Sequence, residues 1–509
     1  MRRNSFILTL LATLLLLGSV AHAQGTEPTT VTIALTDDPP SGDPHKTRGA
    51  NGGHLLFNLF DGLVALSGDM TTIMPALATS WEQVDDLTWS FTLREGVKFH
   101  NGEPFTAAAV QYSITRILDP NAVRFNTDYK QIGEVDVVDD YHVIIHTKVP
   151  DPNFIAKMAG LHIVPPVYTA SVSEEEFGSH PIGTGPYHLV EWTLGQRLVL
   201  EANDDYWNGR PTVDRLVFRP IPEASTRLAE LQAGTVDLIV GLNYDAIPLL
   251  DADPNLRVEA NTGRRTVIMH MDLLNGAKPL QDVRVRQAMS YAIDRQLLID
   301  SVLNGYGTPL ATIFRPDMAG YSADFQPYPY DPERARELLA EAGYPDGFSI
   351  RFMTSDGIVT KGVEVAEALG AMLGDVGIKV DVLPVALQVM RDMYIGNPEP
   401  ASGKVEPLFM FNYGAPTPDA TSPLKALVQT GGIEAFYNDP TMNALIDEYA
   451  SEMNPTTRAS VAHDIQEKLY NDLPIIALYL QLDTYGVSER LNWTARKDEY
   501  VLGKDISIR

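Results

Sequence analysis

The residue types that carry out catalysis do not occur here in a recognisable catalytic arrangement. The chain of 509 residues has no cysteine, so no thiol nucleophile is present. It also lacks the G-x-S-x-G turn of serine hydrolases and the H-E-x-x-H helix of zinc proteases. Aspartate and glutamate are abundant, with 66 residues, but their spacing singles out no pair. We therefore predict that the protein is not an enzyme, and we predict no cofactor.

Two histidines, His142 and His146, have the spacing that places two zinc ligands on one face of a helix. The three residues between them are Val143, Ile144 and Ile145, which favour a strand. In a strand the two imidazoles share a face but lie roughly 13 Å apart, at about 3.3 Å per residue. We therefore predict no metal site here.

A second group of possible metal ligands follows the first predicted strand, residues 31–35. It consists of Asp37, Asp38, Asp43 and His45. Prolines interrupt this loop and the spacing of the side chains is irregular, whereas turn aspartates commonly bond to nearby backbone. We expect solvated turn carboxylates rather than a metal site.

Two adjacent arginines, Arg264 and Arg265, stand out because the chain has a net charge of −27. Such a pair can bind a carboxylate of a ligand or an internal acid, and both interpretations stay open. The negative charge repels nucleic acid and anionic membrane surfaces, so we predict no nucleic-acid partner. It could also favour cationic ligands, although solubility explains it at least as well.

The N-terminus has the pattern of a cleavable secretory signal. Arg2 and Arg3 precede an apolar run, residues 6–17, and Ala21-His22-Ala23 is a small-x-small cleavage site. The run is shorter than the roughly 20 residues that span a membrane. Since no cysteine can carry a lipid anchor, we predict a freely diffusing periplasmic protein.

The second half of the chain alternates helical and extended patterns, which is typical of an α/β unit. We predict one helix from Asp282, its N-cap, to Leu303, and another that begins at Asp331. Residues 474–480 are almost entirely apolar and predict a buried strand.

The most distinctive stretch is PIGTGPY, residues 181–187. N-x-x-Y-W-x-G at 203–209 and A-G-x-V-D at 233–237 follow it. Gly183 and Gly185 flank a threonine, and we expect them to allow positive φ values. The stretch is not a phosphate loop, because it lacks the third glycine of a dinucleotide fingerprint and the Lys-Ser/Thr of a P-loop.

This string of motifs resembles the family 5 extracellular solute-binding proteins, the substrate receptors of dipeptide, oligopeptide and nickel ABC importers. Two more blocks match, LREGVKFHNG at 93–102 and DVRVRQA through AIDR at 282–295. The resemblance extends from about residue 31 to the C-terminus. It implies an α/β fold of the two-lobed periplasmic binding protein type, with hinge strands and an extra subdomain inserted in the first lobe.

The resemblance also implies a division of the chain. After a signal peptide, the first lobe is discontinuous, and it encloses the inserted subdomain. The expected segments are 1–23 for the signal peptide, 24–57 with 182–272 and 484–509 for lobe I, 58–181 for the inserted subdomain, and 273–483 for lobe II.

Peptide-binding relatives receive the α-ammonium of the ligand on an aspartate in a W-x-x-D-x-x-D-P-like segment of the second lobe. The matching residues here are 409–420, which contain no Trp and no acid at the earlier aspartate position; Asp419 matches the later one. The segment has no His, which weakens a nickel chelate as the ligand. The candidate ligand-binding residues are Asp38 in the loop that opens the family's site, Arg264, Arg265, Asn412, Tyr413 and Asp419.

We predict a periplasmic receptor that captures a peptide or peptide-like solute between two lobes. A monomer would then deliver it to ABC permease subunits in the inner membrane. An oligosaccharide, an opine or a nickel chelate stays open as the ligand. A secreted hydrolase is the distant alternative, and a chaperone-like binder of unfolded chains is a third class.

Overall fold

The computed structural model describes residues 28–47, 49–119, 128–274, 276–355, 359–386, 389–390 and 408–509. The predicted signal peptide lies outside the described residues. The strands are β1 (Thr30–Leu35), β2 (Val64–Leu66), β3 (Ile73–Pro75), β4 (Ala78–Asp85), β5 (Thr88–Leu93), β6 (Ile132–Asp139), β7 (His142–Thr147), β8 (Tyr187–Thr193), β9 (Arg197–Ala202), β10 (Arg215–Pro220), β11 (Leu238–Val240), β12 (Leu256–Met271), β13 (Gly307–Pro309), β14 (Phe348–Thr354), β15 (Ile378–Pro384), β16 (Leu408–Gly414), β17 (Ile475–Ser488), β18 (Leu491–Asn492) and β19 (Ser507–Ile508).

The helices alternate with these strands. They are α1 (Ala50–Leu59), α2 (Ala107–Leu118), α3 (Phe154–Lys157), α4 (Pro166–Ser171), α5 (Glu174–Ser179), α6 (Ala224–Gln232), α7 (Ile247–Asp251), α8 (Val283–Ala292), α9 (Arg295–Val302), α10 (Pro332–Glu341), α11 (Gly362–Gly374), α12 (Thr421–Leu427), α13 (Pro440–Ser451) and α14 (Pro455–Asp472), with 3-10 turns at Tyr244–Ala246, Lys278–Gln281 and Gly503–Asp505.

Most strands that the structure describes belong to one large sheet, in the order β15-β14-β16-β12-β17-β11-β1-β10-β9-β8. A further strand, β13, pairs with β17 outside this order. Its two central strands, β12 and β17, are antiparallel and the longest in the sheet, with 16 and 14 residues. At one end of this strand pair, β17 pairs with β11, which in turn pairs with β1. At the other end, β12 pairs with β16, which in turn pairs with β14. The pair therefore passes through both halves of the molecule.

Apolar clusters lie in both halves, and one of them extends across the central strands, since it also contains Ala34 of β1, Leu231 of α6 and Ile239 of β11. On the β1 side, residues of β1, β9, β10 and α1 pack with the C-terminal segment, including Trp493 and Val501. On the β14 side, α8, α9, α10 and α11 cover one sheet face, and α12, α13 and α14 cover the other. We call these halves lobe I and lobe II. The predicted strand at 474–480 is found within β17, which continues well beyond it.

A separate four-stranded sheet, β4-β5-β7-β6, lies apart from the large one. Alternate residues of β5 are buried, among them Trp89 and Phe91, and they pack against α2 and the segment around Phe154. This unit has its own apolar core, formed by residues between 63 and 163. The exact bounds expected for an inserted subdomain, 58–181, stay a prediction.

One predicted helix is two helices. Asp282 caps α8 as expected, since its carboxylate accepts a hydrogen bond from the backbone N–H of Arg284 at 2.9 Å. The helix does not continue to Leu303, however, because the chain turns extended at Ile293 and Asp294. Asp294 then caps α9 by accepting from Leu297 N–H at 2.9 Å. The second cap competes with helix continuation, which the apolar periodicity alone did not reveal.

None of the helices that the structure describes combines the length and the apolar character of a membrane span.

Candidate functional site

The two lobes meet at a bulge in β12 that interrupts its pairing with β17. The pairing of the strands runs to Thr262 opposite Leu482 and resumes at Thr266 opposite Leu480. Residues 263–265 of β12 therefore stand opposite a single residue of β17. Such an irregularity leaves backbone groups without ladder partners. The carbonyl of Arg264 is satisfied by a side chain instead, the guanidinium of Arg315, whose Nη1 donates to it at 2.9 Å.

The two arginines of this bulge share one acid, Glu499, from the C-terminal segment. Arg264 Nε donates to Oε1 at 2.8 Å, while Arg265 Nε and Nη2 donate to Oε2 at 2.8 and 2.6 Å. The exposed fractions of the three side chains are 9, 25 and 6%. Burial alone would raise the pKa of the Glu499 carboxyl, but the two guanidinium groups together outweigh it and lower that pKa to about 2.

The backbone at Glu499 is strained. Its φ is 72°, in the left-handed region that disfavours residues with a Cβ. Such a conformation costs on the order of 1–3 kcal/mol and persists only where the surroundings hold it. Here the two arginines hold the side chain in place, and the carbonyl of Glu499 accepts a hydrogen bond from Tyr485 Oη at 3.1 Å.

A second acid, Asp483 of β17, lies beside the bulge. A Cβ on Gly263 would come within 2.1 Å of its Oδ2, so any other residue there would require the Asp483 carboxylate to move. That oxygen is buried and has no hydrogen-bond partner among the described residues. Burial and the nearby Glu499 raise the pKa of Asp483 to about 8, against the opposing effect of the two arginines. The two acids are thus held in opposite protonation states near neutral pH.

An aromatic and histidine surface of lobe I adjoins the arginines. Tyr500 Oη accepts a hydrogen bond from Arg264 Nη2 at 2.8 Å, and its ring stacks on Phe57 with centroids 4.6 Å apart. Gly53 permits this contact, since a Cβ there would lie 1.9 Å from the Tyr500 ring. His54 lies beside Tyr500, and burial lowers the pKa of its imidazole to about 4, so it is neutral at physiological pH.

Two contacts connect other parts of the chain to lobe II. Asn153, just before α3, donates from Nδ2 to Thr417 Oγ1 at 2.8 Å, and both residues are buried. Lys361, at the start of α11, donates from Nζ to both oxygens of Asp245 at 3.0 Å. Lobe II is therefore bonded both to the segment before α3 and to the segment between β11 and α7.

Two of the predicted ligand-binding residues, Asn412 and Tyr413, lie on β16 next to the bulge. The strand pairs Gly414 with Arg265 and Tyr413 with Thr266. Asn412 is buried, and its Oδ1 accepts from Arg265 Nη1 at the long distance of 3.4 Å. The Tyr413 hydroxyl bonds to Ser422 Oγ at 3.0 Å. The structure thus brings Arg264, Arg265, Asn412 and Tyr413 together.

Asp419 is not part of this group of contacts. It is buried, and its Oδ2 accepts from Arg458 Nη2 at 2.7 Å. Its other oxygen accepts from the backbone N–H of Thr421 at 2.8 Å, at the start of α12. These contacts are those of a structural ion pair inside lobe II, and they leave the ligand-binding role suggested for Asp419 without support.

Asp38 lies in lobe I, in the loop after β1. Its Oδ2 accepts from Gly195 N–H, at the turn between β8 and β9, at 2.7 Å. Its Oδ1 is buried and has no hydrogen-bond partner among the residues that the structure describes. Asp38 therefore keeps an acceptor that the lobe itself does not use.

Comparisons with known proteins agree with this architecture. The model of the bacterial extracellular solute-binding proteins, family 5 (middle), matches residues 72–435. The chain belongs to this family. Heme-binding protein A of Haemophilus influenzae is 31% identical over 452 residues, which cover 82% of this chain and 81% of that protein. Glutathione-binding protein GsiB of Salmonella typhi is 31% identical over 484 residues, covering 92% and 93%.

A solved structure also aligns over almost the whole chain. The binding protein AgaA of A. tumefaciens R10, in complex with agropinic acid, has a TM-score of 0.80 and 26% identity, covering 94% of this chain and 99% of that one. The predicted family and the two-lobed α/β fold are thus confirmed, and the chain is a substrate-binding receptor of an ABC importer.

Three of the family motifs named from the sequence, PIGTGPY, N-x-x-Y-W-x-G and LREGVKFHNG, converge on one acid, Asp61, rather than on the junction between the lobes. Oδ2 accepts from Thr184 Oγ1 at 2.9 Å and from Trp207 Nε1 at 3.0 Å, and Oδ1 accepts from Tyr206 Oη at 3.0 Å. His100, from the LREGVKFHNG block, bonds to the backbone of residues 183 and 185. We call this group of residues the Asp61 cluster; its contacts are structural.

The glycines of the GTGPY motif have a different role from the one expected. Neither Gly183 nor Gly185 has a positive φ. A Cβ on Gly183 would lie 2.0 Å from the carbonyl oxygen of Leu59, and one on Gly185 would lie 2.4 Å from the Leu59 carbonyl carbon. The motif therefore needs glycine for a close approach to the end of α1, not for its backbone angle.

The two histidines tested as zinc ligands lie on β7, as predicted. Each bonds to a separate acid, His142 to Asp139 and His146 to Asp136. Among the described residues, no group of three His, Cys, Asp or Glu side chains is arranged to hold a metal ion.

Sequence reasoning missed Glu499, Asp483 and Tyr500. They lie far along the chain from Arg264, and no motif contains them. The one available signal was charge, because two adjacent arginines on a buried strand require an acid nearby.

Proposed function

We propose that this receptor captures a short peptide or a peptide-like solute between its lobes and delivers it to ABC permease subunits. One observation carries this proposal. At the junction of the lobes, charged side chains have hydrogen-bonding atoms that contacts within the described residues do not fully satisfy. A small solute with polar groups of both signs suits such a site, because each buried charge needs a partner. A relative of similar length is named for binding glutathione, which is peptide-like.

The positive part of such a solute has a candidate partner in lobe I. Asp38 Oδ1 is a buried acceptor with no partner among the described residues. A carboxylate that accepts hydrogen bonds from an ammonium group forms a charge-assisted interaction. We propose Asp38 for this role, with Arg265, Asn412 and Tyr413 at the junction of the lobes as the other ligand contacts.

Closure of the lobes is the step that couples binding to transport. A ligand that contacts both lobes stabilises the closed form by its differential affinity for the two states. The contacts Asn153–Thr417 and Lys361–Asp245 would then form or break with the motion. The protein acts as a monomer in the periplasm, and it binds its solute without turnover.

The opines and metal chelates of the wider family stay as alternatives. The similar structure AgaA was solved with agropinic acid, an opine. Segment 409–420 offers no histidine to a nickel chelate. An oligosaccharide would need aromatic surfaces; Phe57 and Tyr500 form such a stack in lobe I.

The experiment is native mass spectrometry of the protein purified from its own periplasm, followed by denaturation to release a bound molecule. A retained peptide or glutathione supports the proposal. A sugar, an opine, heme or a nickel chelate keeps the receptor role and overturns the ligand class. If the protein is empty, a thermal-shift screen of these classes decides, because a bound ligand raises the melting temperature.

A further inference from the structure

The unit built around the four-stranded sheet β4-β5-β7-β6 touches lobe II through a buried hydrogen bond. Asn153, in the segment before α3, donates from Nδ2 to Thr417 Oγ1 at 2.8 Å. Both residues are buried, so water does not compete for this bond. The contact between Lys361 and Asp245 differs, because 57% of the Asp245 side chain is exposed and exposed ion pairs contribute little. The Asn153–Thr417 bond is therefore the better shielded of the two.

Asn153 is fixed to the four-stranded unit, and this unit is fixed to lobe I. The next residue, Phe154, is buried, and its ring packs against Trp89 of β5 with centroids 5.3 Å apart. Arg116 of α2 donates from Nη1 and Nη2 to the two carboxylate oxygens of Asp43 at 2.9 and 2.5 Å. Asp43, in the loop after β1, is thus a buried ion-pair partner and not the solvated turn carboxylate that the sequence suggested. We expect the unit and lobe I to move as one body.

Thr417 is fixed in the same way to lobe II. It lies in the loop between β16 and α12, and its carbonyl accepts from the backbone N–H of Asp419 at 2.8 Å. Asp419 is in turn paired with Arg458 of α14, and the carbonyl of Pro418 accepts from the backbone N–H of Ala319 at 3.1 Å. Each end of the Asn153–Thr417 bond thus belongs to its own body, and a rotation of one body against the other has to break it.

Charged side chains approach one another at the same interface. On the side of the four-stranded unit, the buried Asp151 accepts from Lys157 Nζ at 2.5 Å. On the side of lobe II, burial lowers the pKa of the half-buried Lys425 of α12; Asp447 and Asp151 oppose this effect, and Lys157 adds to it. Because such influences are short-ranged, Lys425 lies close to the Asp151–Lys157 pair. The two bodies therefore approach each other over more than a single bond.

We propose that the four-stranded unit takes part in closure, and that Asn153 forms a latch with Thr417 of lobe II when the lobes close on a solute. The bond exists only where the two bodies meet, so it stabilises the closed form and not the open one. Thr417 follows Asn412 and Tyr413 in the chain, so the latch lies near these proposed ligand contacts. This inference rests on the proposed function, because a latch has a role only if the lobes open and close around a solute.

The test measures the populations of the open and closed forms with pairs of spin labels. The chain has no cysteine, so labels can be attached at chosen positions only. Leu297→Cys on α9 places one label in lobe II, and Val138→Cys on β6 places the other in the four-stranded unit; both positions are exposed. A second pair, with Val84→Cys on β4 in place of Val138→Cys, detects a rotation that leaves the first distance unchanged. Double electron–electron resonance then gives the distances.

The compared proteins differ in a single hydrogen bond. Thr417→Val keeps the shape of the side chain and removes the acceptor of the latch. Thr430→Val is the matched control, because Thr430 Oγ1 also accepts from an asparagine, Asn443 Nδ2, at 2.8 Å, but within lobe II. Asn153→Ala removes the donor, and it also serves if Thr417→Val fails to fold. Each protein is measured alone and with a mixture of di- and tripeptides that have uncharged side chains.

Wild type should show two label distances, and the closed form is the one whose distance agrees with the structure described here. The peptides should increase its population. Thr417→Val and Asn153→Ala should lower the ratio of closed to open form by about 2- to 12-fold, the range of one net hydrogen bond. Thr430→Val should leave the ratio unchanged.

Two results overturn the inference. If both latch variants keep the wild-type ratio, the contact does not stabilise the closed form, although a shift caused by the peptides would still support the proposed function. If one distance is found unchanged in every sample, the lobes do not separate at this contact. The opposite combination is also informative. If the latch variants lower the closed population but the peptides do not raise it in wild type, the latch is supported and the peptide ligand is wrong.

Discussion

The Asp61 cluster and the charged cluster of Arg264, Arg265 and Glu499 at the lobe junction both place carboxylates away from water, but in different ways. Asp61 accepts hydrogen bonds from three neutral donors, and no cation bonds to it among the described residues. Burial raises its pKa. Glu499 is instead bound by two guanidinium groups, which lower its pKa to about 2 despite its burial.

This difference bears on the ligand site proposed at the junction. At Asp61 the polar groups satisfy one another within lobe I, so nothing is left for a ligand. At the junction two guanidinium groups share one acid, and strained backbone at Glu499 is retained. Strained backbone and shifted pKa values cluster at functional sites, which supports the ligand site proposed there.

The largest expected effect is that of Glu499→Gln. Removing the anion leaves one buried and one partly buried guanidinium group uncompensated, so the free energy of unfolding should fall by about 3–5 kcal/mol. Urea denaturation measures this. Glu337→Gln, at an exposed pair with Arg334, should change stability by less than about 1 kcal/mol. Equal effects of the two substitutions would contradict the view that Glu499 is the charge partner of the arginines.

Gly183→Ala should come next. The added Cβ would meet the Leu59 carbonyl oxygen at 2.0 Å, a backbone atom that cannot rotate away, so we expect a loss of about 1–3 kcal/mol or more. Gly414→Ala is the matched change at the junction. There the nearest atoms lie at 3.5 Å, and stability should stay within about 1 kcal/mol of wild type. A greater loss of stability for Gly414→Ala than for Gly183→Ala would contradict the view that the close backbone contact lies at Gly183.

Asp483→Asn should change the pH dependence of stability. The folded pKa of about 8 exceeds the unfolded value of about 3.9. The stability that this group contributes is therefore present below pH 4 and is lost as pH rises towards 8. We would measure melting temperatures from pH 4 to 9. The melting temperature of the variant should rise relative to that of wild type as the pH increases to about 8. A difference independent of pH would show that Asp483 titrates normally.

Asp61→Asn should have the smallest effect. Its partners are neutral donors, and an amide oxygen can still accept from Thr184 and Trp207 while the Tyr206 hydroxyl rotates to accept. We expect a loss of about 1 kcal/mol. Calorimetry of Asp61→Asn and Glu499→Gln under the same conditions compares the two losses of stability directly. A loss as great as that of Glu499→Gln would mean that the charge of Asp61, not its hydrogen-bond geometry, supports lobe I.

The sequence by itself determined the family and most of the elements. Period-two patterns gave β5 and β7, and local capping residues gave the start of α8 and α10, because these signals lie within a few residues. It missed the break before α9, where a second cap ended the helix. The motifs identified the family but not the ligand, since three of them belong to the packing around Asp61.

Only the tertiary structure showed which residues surround the two arginines. Arg264 and Arg265 were visible as a pair, but Glu499 lies more than 230 residues further along the chain. Asp419 was a candidate ligand residue from its place in segment 409–420, and only the fold shows that Arg458 lies beside it. Local sequence sets backbone preference and burial, whereas the balance of charge at a point depends on which distant segments the fold brings there.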